Sequence, residues 1–147
     1  MPAYYYKSDC RCISPLSITR CKQRSDEASD TSLISNALKF TKQGVTPKIS
    51  IQSKELNAKE IGLSLTDHDA YCRIVIKDNG IGFNESYSSS VFSLFEKLNP
   101  KSSFEGSGIG LAIAKKIIDK HHGMIIAKSK EGVGSEFNII ISRRRIT

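Results

Sequence analysis

Two glycine-rich segments and one amide–ammonium pair are the parts of this sequence whose residue types and spacing could do chemistry. The stretch from Glu105 to Ile117 reads EGSGIGLAIAKKI, with Gly106, Gly108 and Gly110 running directly into a helical pattern. The unpaired N–H groups of such a helix's first turn, and the positive end of its dipole, offer a site for phosphate. It is not a P-loop, because no Lys followed by Ser or Thr comes after the glycines. Nor is it a dinucleotide fingerprint, because no strand immediately precedes it. Asp78, Asn79 and Gly80 close an apolar alternating run, which puts a carboxylate at the mouth of a sheet. There it can accept a hydrogen bond from a donor such as an adenine amino group, whereas an isolated DNG would read as the start of a turn. Asn36 and Lys39 lie one helical turn apart, where an amide oxygen could ligate Mg²⁺ and an ammonium could reach phosphate. Taken alone, that pair would be a solvated face.

The elements that must position these residues follow from periodicity. Leu33, Ile34, Ala37, Leu38 and Phe40 give the apolar face of a helix from Ser32 that stops near Gly44 and Pro47. Lys48 to Ser53 and Tyr71 to Lys77 alternate as strands, and Glu60 to Thr66 is a further short strand candidate. Val91, Phe92, Leu94 and Phe95 predict a short helix before a polar loop from Asn99 to Gly108. Ile109 to His121 carries an apolar stripe at helical spacing, ended by Gly123. Met124 to Ser129 and Ser135 to Ser142 read as strands joined by an EGVG hairpin turn. The sum is an α+β, two-layer sandwich in which one mixed, mostly antiparallel sheet is covered on one face by helices.

Length and composition bound the answer. A chain of 147 residues has room for one ordinary core, read as a domain over residues 32–147 preceded by a segment, 1–31, without sustained period. Apolar residues at 39% and charged residues at 25% are those of a globular chain rather than a disordered one. The formal charge of +7, from 22 Lys and Arg against 15 Asp and Glu, suits an anionic partner. The dense basic run, Arg143 to Arg145, lacks the interleaved aromatics of a single-strand nucleic-acid binder, so a triphosphate fits better than nucleic acid. Cys10, Cys12 and Cys21 form no paired CxxC, and Cys72 falls inside an apolar alternating segment as a small core residue. No stretch approaches the ~20 apolar residues of a membrane helix, which predicts a cytoplasmic domain without membrane contact of its own.

Four segments occur in a fixed order: SLISNALKF at 32–40, DNGIGF at 78–83, VFSLFEKL at 91–98 and EGSGIGLAIAKKI at 105–117. In that order they resemble the N, G1, F and G2 boxes of the ATP-binding catalytic domain of two-component sensor histidine kinases. That domain belongs to the wider GHKL, or HATPase_c, family shared with gyrase, MutL and heat-shock chaperone ATPases. The resemblance covers residues 32 to about 142 and implies the Bergerat ATP-binding fold, with ATP and Mg²⁺ as cofactors. It implies that Asn36 is the Mg²⁺ ligand, that Asn36 and Lys39 serve catalysis, that Lys39 touches phosphate and that Phe40 lines the pocket. Asp78 would hold the adenine amino group, and Gly80 and Gly82 would shape the pocket floor. Phe92 and Phe95 would anchor an ATP lid or simply pack. Lys97 stands where the family often has a phosphate-contacting Arg. Gly106, Gly108 and Gly110, with Ser107, Ile109 and Leu111 between and beside them, would cradle the phosphates.

This sequence departs from the family pattern at three places. Ser32 stands where the N box usually opens with Asn and where the hydrolytic relatives have a general-base Glu; a serine is no base near neutral pH, so independent hydrolysis is disfavoured. Residues 1–31 do not resemble the strand that normally precedes the N box, so the fold is expected to lack its N-terminal strand. None of His68, His121 and His122 begins the helical HE-x-x-x-P segment that accepts phosphate. The expected function is transfer of the ATP γ-phosphoryl group to a histidine on a separate dimerisation domain, with a response regulator downstream. The alternative is a catalytically inactive nucleotide-binding regulatory module.

Overall fold

The structure is a computed structural model, and it describes residues 4–5, 27–62, 70–93 and 110–142. Helix α1 spans Glu27–Lys39, starting ahead of the apolar stripe that announces it at Leu33. It ends where Phe40 donates its N–H to the Asn36 carbonyl. Strand β1 is Tyr4–Tyr5, β2 is Ile49–Asn57 and β3 is Ala70–Asp78. Helix α2 runs over Gly110–Lys120, followed by β4, Met124–Lys130, and β5, Gly134–Ser142.

The sheet order is β1-β2-β3-β5-β4. From β2 onward all neighbours are antiparallel, whereas β1 runs parallel to the start of β2, with Tyr4 opposite Ile49 and Tyr5 opposite Ser50. The edge at which a missing strand was expected thus carries a two-residue one. The stretch read as a possible strand from Glu60 is instead a 3-10 turn, Ala58–Ile61. Asn57 accepts from the Glu60 N–H while the Glu60 carboxylate accepts from the Asn57 N–H. This reciprocal cap consumes the backbone donors that a strand would need. The rest of the predicted strand, 63–66, lies outside the described residues.

Period-two alternation sends Cys72, Ile74 and Ile76 of β3, Phe137, Ile139 and Ile141 of β5, and Ile125 and Ala127 of β4 to one face. Both helices pack on that face through Leu33 and Ala37 of α1 and Ala114 and Ile118 of α2. Leu33, Ile118 and Ile139 are fully buried, and each such side chain stabilises the fold by roughly 1.5–3 kcal/mol through loss of apolar surface to water. This is the two-layer sandwich the sequence predicts.

Among the described residues the opposite face carries one buried polar residue, Asn138. Its amide oxygen accepts from the Arg73 guanidinium, and its amide nitrogen donates to Glu136 at 2.8 Å. Burying an amide without partners would be costly; here both ends are satisfied. Helix α2 closes in a Schellman arrangement centred on His122 rather than Gly123. His122 takes the left-handed conformation at φ 54°, its N–H reaches the Asp119 carbonyl, and the Gly123 N–H reaches Ile118.

Candidate functional site

The polar end of the sheet lies beside the C-terminal end of α1. Asp78 is the last residue of β3, and its Oδ1 accepts from the Gly80 N–H at 2.8 Å and the Ser135 N–H at 3.3 Å. Both bonds end on the same oxygen, which leaves Oδ2 able to accept from a ligand. Burial raises the Asp78 carboxyl above the ordinary aspartate range, and the two N–H groups oppose that rise. A carboxylate held this way at a cleft is a candidate for ligand recognition.

The segment after Asp78 is gripped from both sides. On the helix side, Ile81 donates to the Phe40 carbonyl at 2.9 Å, and a Cβ on Gly80 would sit 2.4 Å from that same oxygen. On the hairpin side, Gly132 donates to the Ile81 carbonyl at 2.7 Å. Gly82, at φ 63°, lies against the Lys130 carbonyl. A Cβ on Gly134 would sit 2.1 Å from the Asp78 carbonyl oxygen. Asn79 fastens the base: its Oδ1 accepts from the Lys48 N–H at 2.8 Å and its Nδ2 donates to the Thr46 carbonyl at 3.1 Å.

Asn36, Lys39 and Phe40 follow one another at helical spacing, and all three are half-buried. The Lys39 ammonium lies 5.6 Å from the centre of the Phe40 ring, within range of a cation–π contact. Gly110 and Leu111 open α2, Leu111 packing against the core. Lys97, Gly106, Ser107, Gly108 and Ile109 lie outside the described residues, as does Phe95. Phe92 belongs to a 3-10 turn, Ser90–Phe92, rather than a regular helix. Its ring meets Phe137 edge-on at 6.4 Å, so it is anchored to the sheet.

The structure therefore brings Asp78, Gly80, Gly82 and the Phe40 backbone together at the end of α1. The sequence did not point to Asn79 as a fastener, nor to Ser129, Gly134 and Ser135 as neighbours of the carboxylate. The EGVG stretch signalled a turn, and contact across the sheet is invisible to local pattern. Among the described residues no group of three or more His, Cys, Asp or Glu side chains could hold a metal, and no helix is long and apolar enough to cross a membrane.

Residues 31–145 match the family of histidine kinase-, DNA gyrase B-, and HSP90-like ATPases. The match spans more than half of the chain, and the chain belongs to that family. The chain is accordingly an ATP-binding catalytic domain of the kind found in histidine kinases. Among curated relatives, the chain is 34% identical over 109 residues to Cyanobacterial phytochrome A of Nostoc sp., covering 74% of this chain and 12% of that protein. The catalytic domain of the histidine kinase ThkA, in a nucleotide-free form, is 26% identical with a TM-score of 0.58, covering 85% of this chain and 67% of that one. The mycobacterial sensor histidine kinase MprB shares the fold at 23% identity and a TM-score of 0.62, over 78% of this chain and 70% of that one.

Proposed function

We propose that the chain transfers the γ-phosphoryl group of ATP to a histidine on a separate dimerisation domain, with a response regulator as the subsequent acceptor. The observation that carries this reading is the Asp78 carboxylate, held on one oxygen by Gly80 and Ser135 and placed beside the helix that bears Asn36 and Lys39. Oδ2 would accept from the adenine amino group. Lys39 would meet phosphate, Phe40 would line the pocket, and Gly80 and Gly82 would form its floor. Gly110 and Leu111 would present the start of α2 to the phosphates, as would Gly106, Ser107, Gly108 and Ile109 before them, with Lys97 as a further phosphate contact.

Mg²⁺ keeps several of its waters and takes further oxygens from the substrate phosphates, so it asks for few oxygen ligands from the protein. Asn36 would hold it there, and the ion would neutralise charge on the triphosphate. The protein's share of the chemistry is then positioning and electrostatic stabilisation. In the transfer the bond from the γ-phosphorus to its bridging oxygen breaks, ADP leaves, and the imidazole nitrogen of the acceptor forms the new bond. Ser32 supplies no general base, which supports transfer over hydrolysis.

The domain is read as residues 32–147, close to the family match at 31–145, but the preceding segment joins it, with Tyr4–Tyr5 on the sheet edge and α1 beginning at Glu27. We place it in the cytoplasm, where ATP is supplied, without nucleic acid as a partner. The test is incubation with radiolabelled ATP, Mg²⁺ and a histidine-bearing dimerisation domain. Label on the acceptor histidine is the expected result. Bound ATP without transfer would leave a regulatory nucleotide-binding module.

A further inference from the structure

Ser129 interrupts an otherwise apolar series on the helix-facing side of β4, following Ile125 and Ala127 at strand spacing. Its hydroxyl accepts from the Phe83 N–H at 2.9 Å and donates to the Gly134 carbonyl at 2.9 Å. It also lies 3.0 Å from the Ser135 hydroxyl, and the two residues are cross-strand partners. A serine hydroxyl has one proton. With that proton given to Gly134, Ser135 must donate to Ser129.

Two segments that both touch Asp78 therefore meet on one oxygen. Phe83 ends the DNGIGF stretch whose Gly80 N–H binds Oδ1 of Asp78. Gly134 packs on the Asp78 carbonyl, and the Ser135 N–H is the second donor to Oδ1. At this corner Ser129 is the acceptor for the Phe83 N–H, and it ties that segment to Gly134, the residue that ends the β4–β5 ladder opposite Lys130.

We propose that Ser129 is a positioning residue for base recognition: it clamps the DNGIGF segment to the β4–β5 hairpin, and so fixes the oxygen of Asp78 that faces the purine amino group. This rests on Asp78 being the adenine acceptor. Ser129 itself touches no ligand in this scheme. Its removal takes the acceptor from the Phe83 N–H and the tie to Gly134 from the hairpin, so the effect is felt through the geometry of Asp78.

The test compares two nucleotides on the full chain: a nonhydrolysable ATP analogue and its counterpart in which the 6-amino group is replaced by hydrogen. Affinities are measured by calorimetry for the wild type, Ser129→Ala and Ser129→Thr. We expect the wild type to prefer the amino-bearing nucleotide, and Ser129→Ala to lose affinity for it by roughly tenfold while binding the 6-hydrogen nucleotide as before. Ser129→Thr, which keeps the hydroxyl, should restore the preference. If Ser129→Ala does not fold, Ser129→Cys, of similar size but weak in hydrogen bonding, is read in the same way. A preference unchanged in the variant, or an equal loss for both nucleotides, would overturn the proposal. A wild type indifferent to the amino group would instead remove the adenine reading of Asp78 on which it stands.

Discussion

Ile81 donates its backbone N–H to the carbonyl of Phe40 at 2.9 Å. That bond joins the segment that follows Asp78 to the end of the helix that carries Asn36 and Lys39. Gly80 lies against the same carbonyl. The carboxylate proposed for the base and the side chains proposed for the phosphates are thus set relative to one another by main chain, without relying on a ligand to gather them.

The hairpin glycines should not be equivalent. Gly132 has φ 74° with nothing within 4 Å of an added Cβ, whereas Gly134 has φ 144° with the Asp78 oxygen 2.1 Å away. Gly132→Ala should cost about 1–2 kcal/mol, the left-handed penalty alone. Gly134→Ala should reach about 3 kcal/mol or more, because backbone must move. Thermal unfolding of both variants reads the difference.

Asp78 should make stability fall as pH rises. Its native carboxyl titrates above the ordinary aspartate value because of burial, so the folded chain holds that proton more tightly than the unfolded one. Below the unfolded value both states are protonated and no penalty exists. As pH rises through the raised native value, the cost of ionising a half-buried carboxyl becomes fully present. Asp78→Asn keeps an acceptor oxygen for Gly80 but cannot ionise. Its melting-temperature advantage over the wild type should therefore grow from acid toward neutral pH; an advantage that shrinks contradicts this.

Asn36 and Asp78 should separate metal from base. Calorimetric titration of a nonhydrolysable ATP analogue, with and without Mg²⁺, should show Asn36→Ala insensitive to the ion. Asp78→Ala should weaken binding by at least about tenfold in both conditions, as expected for losing a charged acceptor.

Leu33, fully buried on α1, should affect stability alone. Leu33→Ala should cost about 2–5 kcal/mol from lost transfer energy and a residual cavity. Saturating nucleotide should still raise its melting temperature, as it raises that of the wild type, because mass action on the folded state is retained.

Much of the fold could be read from local pattern. The stripe through Ala112, Ile113, Ile117 and Ile118 located α2 to within a residue at each end, and the alternation at Cys72, Ile74 and Ile76 located β3. Period suffices to place these elements, although α2 buries Ala112, Ala114 and Ile118 and leaves Ile113 of that stripe exposed. Other features were set elsewhere. The 3-10 turn at Ala58 was written in the Asn57 and Glu60 spacing of a reciprocal cap, a signal that the apolar pattern of the following residues obscured. The early start of α1 has no apolar stripe to announce it. Of the candidate site, Asp78, Gly80 and Gly82 stood out because their residue types are unusual at a strand end. Ser129 and Ser135 did not: a serine on a strand is unremarkable until its cross-sheet partners are known, and those come from residues more than forty positions earlier in the chain.

The Asn138 amide, committed to Arg73 on one side and Glu136 on the other, has a bearing on how the sheet finds its alignment. A strand that slides by two residues keeps its greasy side inward and so escapes the usual check on misalignment. Here a slide that sets Asn138 opposite Lys77 would carry its amide oxygen away from Arg73, a loss of a hydrogen bond to a charged partner. The Arg73–Asn138 contact thus weighs against one of the two slips that the apolar pattern would permit, and in the setting observed Ser135 reaches Asp78.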